Sequence, residues 1–207
     1  DLLDENRVTE LLQKEKFDIV LHTAVYDAAP ETSTKNPDKV LEYNLRMFDN
    51  LASHNQKYGA MIYFGSGAEK KKEKPYGLSK YIMDQMIQSK DNIYNLRLYS
   101  VYGIGTDWRY RFINNACAKV AMNQSVVIPK ISKCDYLNVK DLCEVVKYYI
   151  KNFKTLPKSC DVCSGDVLSP EEIVDLIDQI SPVASVKYHQ TVSSTVSRAK
   201  SSMEGYY

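Results

Sequence analysis

The apolar run Met61-Ile62-Tyr63-Phe64 stops abruptly at Gly65-Ser66-Gly67-Ala68-Glu69. A short unbroken apolar run fits a strand buried on both faces, as in a parallel sheet, and its small-residue end fits the strand terminus where open α/β sheets place ligands. Around it, strands and helices alternate. Val8, Leu11 and Leu12 predict a helix from Glu5 to about Lys16, and Phe17 to His22 reads as a strand. Asn36 to Tyr58 carries Val40, Asn44, Met47, Phe48 and Leu51 on one stripe and reads as a long amphipathic helix. Tyr76 to about Ser89 reads as a helix and Ile93 to Ser100 as a strand. The alternation predicts an α/β chain with a doubly wound parallel sheet.

Pro75-Tyr76-Gly77-Leu78-Ser79-Lys80 opens the third of these helices and sets a phenol and an ammonium at i and i+4 on one face. A free tyrosine titrates near 10, so proton transfer at neutral pH needs it lowered by roughly three units, about 4 kcal/mol in favour of the phenolate. A neighbouring lysine cation acts in that direction. The spacing alone decides little, because the chain holds 16 tyrosines and many lysines; the surrounding motifs carry the argument.

Strand-Gly-Ser-Gly-Ala-Glu followed by Tyr-Gly-Leu-Ser-Lys resembles the active site of the extended short-chain dehydrogenase/reductase family, in particular its NAD-dependent nucleotide-sugar epimerases, dehydratases and reductases. Further matches follow in the family's order. Val20-Leu21-His22-Thr23-Ala24 resembles the strand and loop beside the cofactor, and Tyr43-Asn44-Leu45 the asparagine-bearing central helix. Leu96-Arg97-Leu98-Tyr99-Ser100-Val101-Tyr102-Gly103 resembles the segment that reaches nicotinamide and substrate, and Asp135 to Leu142 the motif that opens a late helix. The resemblance implies a Rossmann-like sheet with a small C-terminal substrate-binding lobe, divided as 1–105 for the later part of the dinucleotide-binding domain and 106–207 for a lobe interleaved with the sheet.

It also implies a chemistry. NAD or NADP would be the cofactor and a nucleotide-activated sugar the substrate, with Tyr76 as general acid/base during hydride transfer. Lys80 would lower the pKa of Tyr76 and bond the nicotinamide ribose. Ser66 would orient the reacting oxygen, with Gly67 as the alternative alignment that leaves Ser66 a turn residue. Asn44 would either help hold Lys80 or pin the backbone of the neighbouring strand. Asp1, Thr23, Ala24 and Val101 would touch the cofactor, and Ser100, Asn114 and Arg198 the substrate. Glu69 stands where some relatives carry an extra acid, but beside three lysines a solvated charge is the expectation. The contrasting reading is a cofactor-binding regulator or scaffold on the same fold.

Two departures stand out. No strand in the sequence is followed by G-x-x-G-x-x-G, the turn that cradles the dinucleotide phosphates. Asp1-Leu2-Leu3-Asp4 resembles a later family segment, so about one βαβαβ half falls outside this sequence; the intact catalytic region favours a missing N-terminus over a cofactor-less remnant. The interval from Ser66 to Tyr76 is also shorter than usual, which leaves Glu69 to Lys74 as a shortened loop or a join across absent residues.

A formal net charge of +1 with 44% hydrophobic residues gives no bulk reason to seek nucleic acid or membrane. No run approaches the roughly 18 apolar residues of a membrane span and no signal peptide is visible, so a cytoplasmic protein is expected. The five cysteines are odd in number and scattered, which suits reduced thiols. Cys160 and Cys163 fall in a segment that reads as a strand, and His22, His54 and His189 are dispersed, so no metal site is expected.

Past Gly105, Arg109 to Met122 and Asp141 to Asn152 read as helices, and Ser125 to Ile128 and Cys160 to Cys163 as extended. Ser169-Pro170-Glu171-Glu172 predicts a capping box with proline at the first helical position. Thr191 to Tyr207 is a serine-rich tail in which Ser197-Arg198-Ala199-Lys200 resembles a late family turn. Family relatives commonly pair through the helices that here carry Asn44 and Lys80, and apolar Tyr81, Met83, Met86 and Ile87 point to a homodimer.

Overall fold

A computed structural model describes residues 1–27, 35–130, 133–180 and 188–190. In chain order the first elements are α1 (Glu5–Lys14), β1 (Phe17–His22), α2 (Val40–Ala52), β2 (Tyr58–Ser66), α3 (Pro75–Gln88) and β3 (Ile93–Leu98). Then follow β4 (Ser100–Tyr102), α4 (Phe112–Ala121), β5 (Val126–Ile128), β6 (Cys134–Asn138), α5 (Val139–Asn152), β7 (Ser159–Val162), β8 (Val167–Leu168), α6 (Pro170–Ile180) and β9 (Tyr188–Gln190). Contacts divide the chain into two units, and the second begins at Tyr99. From Glu144 to Val162 the chain belongs to the first unit again.

In the first unit, β1, β2, β3 and β7 form a parallel sheet in the order β1-β2-β3-β7. This is the Rossmann-like α/β architecture that the alternation predicts. β2 is central and nearly all buried, which explains its unbroken apolar run. On one face, Val8 and Leu12 of α1, Phe48 and Leu51 of α2, and Met83 and Ile87 of α3 pack on Met61, Tyr63 and Ile93. His22 pairs with Tyr63 and Ser66 with Leu98, so β2 runs three residues past the end of β1. Because all four strands are parallel, their C-terminal ends share one edge.

Two differences from the sequence reading in the element boundaries have a clear physical reason. The helix expected to reach Tyr58 ends at Ala52, and after a short 3-10 turn Tyr58 already starts β2 opposite Phe17. The Tyr58 hydroxyl donates to the Leu51 carbonyl at 3.0 Å, so an aromatic side chain satisfies one of the orphan groups of the helix end. The strand expected from Ile93 to Ser100 splits at Tyr99: β3 pairs with β2 and β7, whereas β4 pairs with β6. A change of partners, invisible to periodicity, makes the break.

The second unit holds the sheet β4-β6-β8, with β4 parallel and β8 antiparallel to β6, and the parallel pair β5-β9. Ala116 and Val120 of α4, Val126 and Ile128 of β5 and Val174 of α6 make its core. The capping box forms as read: the Ser169 N–H donates to Glu172 at 2.6 Å and the Glu172 N–H to Ser169 Oγ at 3.2 Å. No helix among the described residues is long and apolar enough to cross a membrane.

Candidate active site

Lys80 ties α3 to the C-terminal end of β2 in the first unit. Proline at the start of α3 sets the helix entry, and one turn later Lys80 points into the protein and is 4% exposed. Its Nζ donates to the Phe64 carbonyl near the end of β2 at 2.8 Å and lies 5.6 Å from the centroid of the half-buried Tyr76 ring. Burial pushes the ammonium down to about 7, against the pull of the Asp27 and Glu69 carboxylates. His22, at the end of β1, is held down at about 4, first by burial and then by the Lys80 charge, so its imidazole is neutral. Its ring packs against Phe48 and Tyr63, with centroids at 6.2 and 5.5 Å, a core role.

The other expected residues are placed as follows. Ser66 is buried, and its Oγ accepts the Ala68 N–H at 3.2 Å, capping the 3-10 turn Gly67–Lys70. Asn44 accepts the Tyr26 N–H at 2.8 Å and donates to the carbonyls of Tyr26 at 2.7 Å and Val40 at 2.8 Å. Its hydrogen bonds therefore clamp the main chain just past β1 and the start of its own helix, not the neighbouring strand itself. Thr23 and Ala24, in that same segment, are exposed. Asp1 is exposed and turns its carboxylate onto the Leu3 N–H at 2.9 Å.

Ser100, Val101 and Asn114 belong to the second unit. There Ser100 Oγ lies 3.3 Å from Cys134 Sγ, and Asn114 donates to the Gly103 carbonyl at 2.9 Å. Arg198 lies outside the described residues. Cys160 accepts a hydrogen bond from the Tyr149 hydroxyl at 3.1 Å, a packing role.

Glu69 corrects the sequence reading. It is buried, not solvated, and pairs with Arg97 of β3, which also holds Asp161 at 2.7 Å and Asp84 at 3.6 Å. Asp84 in turn accepts from Asn95 and from Ser159, each at 2.6 Å. One guanidinium thus faces three carboxylates. Burial pushes the Glu69 carboxyl up to about 7, opposed by Arg97 and reinforced by the two aspartates. A signal for this cluster was available: Asn95 and Arg97 lie in an otherwise apolar strand, and buried groups of that kind require partners. The neighbouring lysines in sequence concealed it.

Gly77 explains how close the turn comes to Tyr76. A Cβ at Gly77 would lie 2.2 Å from the Lys71 carbonyl oxygen and 2.4 Å from that of Ala68. Only glycine lets the turn that follows Ser66 abut the first turn of α3.

The sequence model of the NAD dependent epimerase/dehydratase family matches residues 1–165. The chain belongs to this family. No curated protein matches the chain. Among solved structures it is similar to the Bordetella bronchiseptica enzyme WbmG in complex with NAD and UDP, at 16% identity and TM-score 0.74, covering 99% of this chain and 71% of that one. It is also similar to the GDP-mannoheptose C4 reductase of Campylobacter jejuni with NADP bound, at 17% identity and TM-score 0.75, covering 100% of this chain and 86% of that one. The UDP-Glc/GlcNAc 4-epimerase of Campylobacter jejuni is 20% identical with a TM-score of 0.72, covering 93% and 71%. At these identities the likeness is one of fold.

Proposed function

We propose that this family member is an NAD(P)-dependent oxidoreductase, epimerase or dehydratase acting on a nucleotide-activated sugar, with Tyr76 as its acid/base. The observation that carries the reading is the buried Lys80 ammonium, bound to the Phe64 carbonyl beside Tyr76 at the shared strand ends. A lysine ammonium has three N–H donors, so two remain for ribose hydroxyls, which fits the nicotinamide end of NAD(P). The phosphate-cradling glycine turn is not part of this sequence.

NAD(P), when bound, supplies a hydride acceptor or donor. Tyr76 Oη then takes the sugar hydroxyl proton, or returns it, at the carbon that loses or gains hydride. The Lys80 charge favours the Tyr76 phenolate and binds the ribose. Ser66, freed to donate while its Oγ accepts the Ala68 N–H, orients the reacting oxygen. The Asn44 clamp holds the segment with Thr23 and Ala24 against the cofactor. Structural neighbours bind such ligands: WbmG was solved with NAD and UDP, and another, a UDP-glucose 4-epimerase of Thermotoga maritima, with UDP-glucose.

The test is Tyr76→Phe, assayed in the native polypeptide with NAD or NADP against a panel of UDP- and GDP-sugars. Turnover should fall by about 10²- to 10⁴-fold while cofactor affinity holds. Full turnover in the variant removes Tyr76 from the mechanism. The scaffold reading has one observation in its favour, the capping use of Ser66; cofactor binding without turnover on any sugar nucleotide would select it.

A homodimer through the outer faces of α2 and α3 remains part of the proposal, on reduced apolar support. Met83 and Ile87 are core residues at 1% and 0% exposure and the half-buried Met86 packs against the same core, so of these four Tyr81 and the remainder of Met86 are left for a partner. A monomer mass that persists in light scattering as the protein is concentrated rules the dimer out.

A further inference from the structure

Lys80 lies nearer to another aromatic ring than to that of Tyr76. Its Nζ is 4.6 Å from the centroid of Tyr63, against 5.6 Å for Tyr76. Tyr63 is 1% exposed in the middle of β2, with Phe48 edge-on at 5.3 Å and His22 tilted against it at 5.5 Å. Among the described residues its hydroxyl finds no hydrogen-bond partner. Burying a phenol without a partner is costly, so the hydroxyl does not account for this residue, whereas the ring has a clear client.

The groups around the ammonium sharpen the point. From β1 it is faced by His22, which is neutral, and from the segment after β1 by Asp27; from the turn after β2 it is faced by Glu69, and from its own helix by Tyr76. The Tyr63 phenol is itself pushed well above its ordinary range by burial, so the ring is uncharged and acts through its π face. A cation over an aromatic face is held by the ring quadrupole, most strongly when both are removed from water.

We propose that Tyr63 is a positioning residue for Lys80: its ring face holds the buried ammonium at the end of β2, charged and beside Tyr76. The catalytic meaning of this role rests on the proposed function. The role itself is read from Lys80 directly.

The protein is labelled with ¹³Cε,¹⁵Nζ-lysine, the Lys80 resonance is assigned by its loss in Lys80→Met, and the titration is followed by NMR without ligands. Tyr63→Phe keeps the ring and should titrate within about 0.3 pH units of the parent, whereas Tyr63→Leu should titrate about one pH unit lower. A Leu variant at the parent midpoint, or a Phe variant that moves with it, overturns the proposal. Should Tyr63→Leu fail to fold, phenylalanines carrying one to five fluorines at position 63 replace it, since they drain the ring face at nearly constant shape. The midpoint then falls stepwise with fluorine count, and a flat series overturns the proposal. Stepwise shifts without turnover on any sugar nucleotide would uphold the ring's role and sink the enzymatic reading; turnover with a flat series would do the reverse.

Discussion

Glu69 and Arg97 form an ion pair that ties the turn following β2 to the neighbouring strand β3. In register, Arg97 stands beside Gly65, so the pair bridges the end of the central strand next to Ser66. With Asp84 and Asp161 on the same guanidinium, acid exceeds base in this cluster. Burial first, and then the two aspartates against the pull of Arg97, make Glu69 hold a proton more readily than a surface glutamate.

The consequence is a slope in stability with a definite sign. Between its ordinary value of 4.5 and about 7, Glu69 is protonated in the folded chain and ionised in the unfolded one. The folded state binds the extra proton, so this residue makes stability fall as pH rises through that window, by at most about 1.4 kcal/mol per pH unit. His22, lowered from 6.5 to about 4, acts in the opposite sense over an overlapping range. The measurement is therefore a difference: urea midpoints of the parent and of Glu69→Gln from pH 4 to 8. The parent should lose stability relative to the variant as pH rises, and parallel curves would show an ordinary carboxylate.

Lys80→Met separates stability from activity. The Lys80 ammonium is lowered from 10.5 to about 7 by burial, so from pH 7 to 10.5 the unfolded chain binds more protons and the parent gains stability with rising pH. The methionine variant lacks this gain and should be at least as stable as the parent near pH 7, where the parent still buries a charge. It should also bind NAD(P) more weakly and need a higher pH for turnover. A variant less stable than the parent at pH 7, with an unchanged pH profile, would count against the buried-cation role.

Gly77→Ala tests the close approach of the turn to α3. The added Cβ meets two main-chain carbonyl oxygens, and main chain yields less than a flexible side chain. Overpacking of this kind costs about 1–3 kcal/mol. A fall in the urea midpoint of that size, with loss of turnover because the adjacent Tyr76 is displaced, is expected. A variant as stable as the parent would mean that the turn can move freely.

Much of the fold was legible because its signals are local. The β2 run reads as a buried strand from composition alone, and Ser169 with Glu172 reads as a helix start because the reciprocal bonds span three residues. The pair Tyr76 and Lys80 follows from helical spacing. Tertiary choices were not legible. Where β3 stops depends on which strand lies beside it, and whether Glu69 is solvated depends on Arg97, far away in sequence. Tyr63 as a neighbour of Lys80 was hidden for the same reason: an aromatic in a core strand has the same periodicity whatever lies over its ring.

Asn44 offers the sharpest contrast between a clamp and a catalytic helper. Its amide makes one acceptor and two donor bonds to main chain, two of them to Tyr26 and one to Val40. Asn44→Ala leaves those groups to find other partners, a loss of about 1–3 kcal/mol, and should speed amide hydrogen exchange in residues 23–27. Asn44→Asp keeps the acceptor for the Tyr26 N–H but sets an anionic oxygen against two carbonyls. It should therefore be worse than Ala at pH 7 and recover in acid, where the protonated carboxyl donates one bond again. Exchange measured by mass spectrometry, together with the Lys80 titration, decides the role. Faster exchange at 23–27 with the Lys80 midpoint unmoved marks a clamp on the segment after β1, and a shifted Lys80 midpoint with unchanged exchange would make Asn44 a partner of the lysine instead.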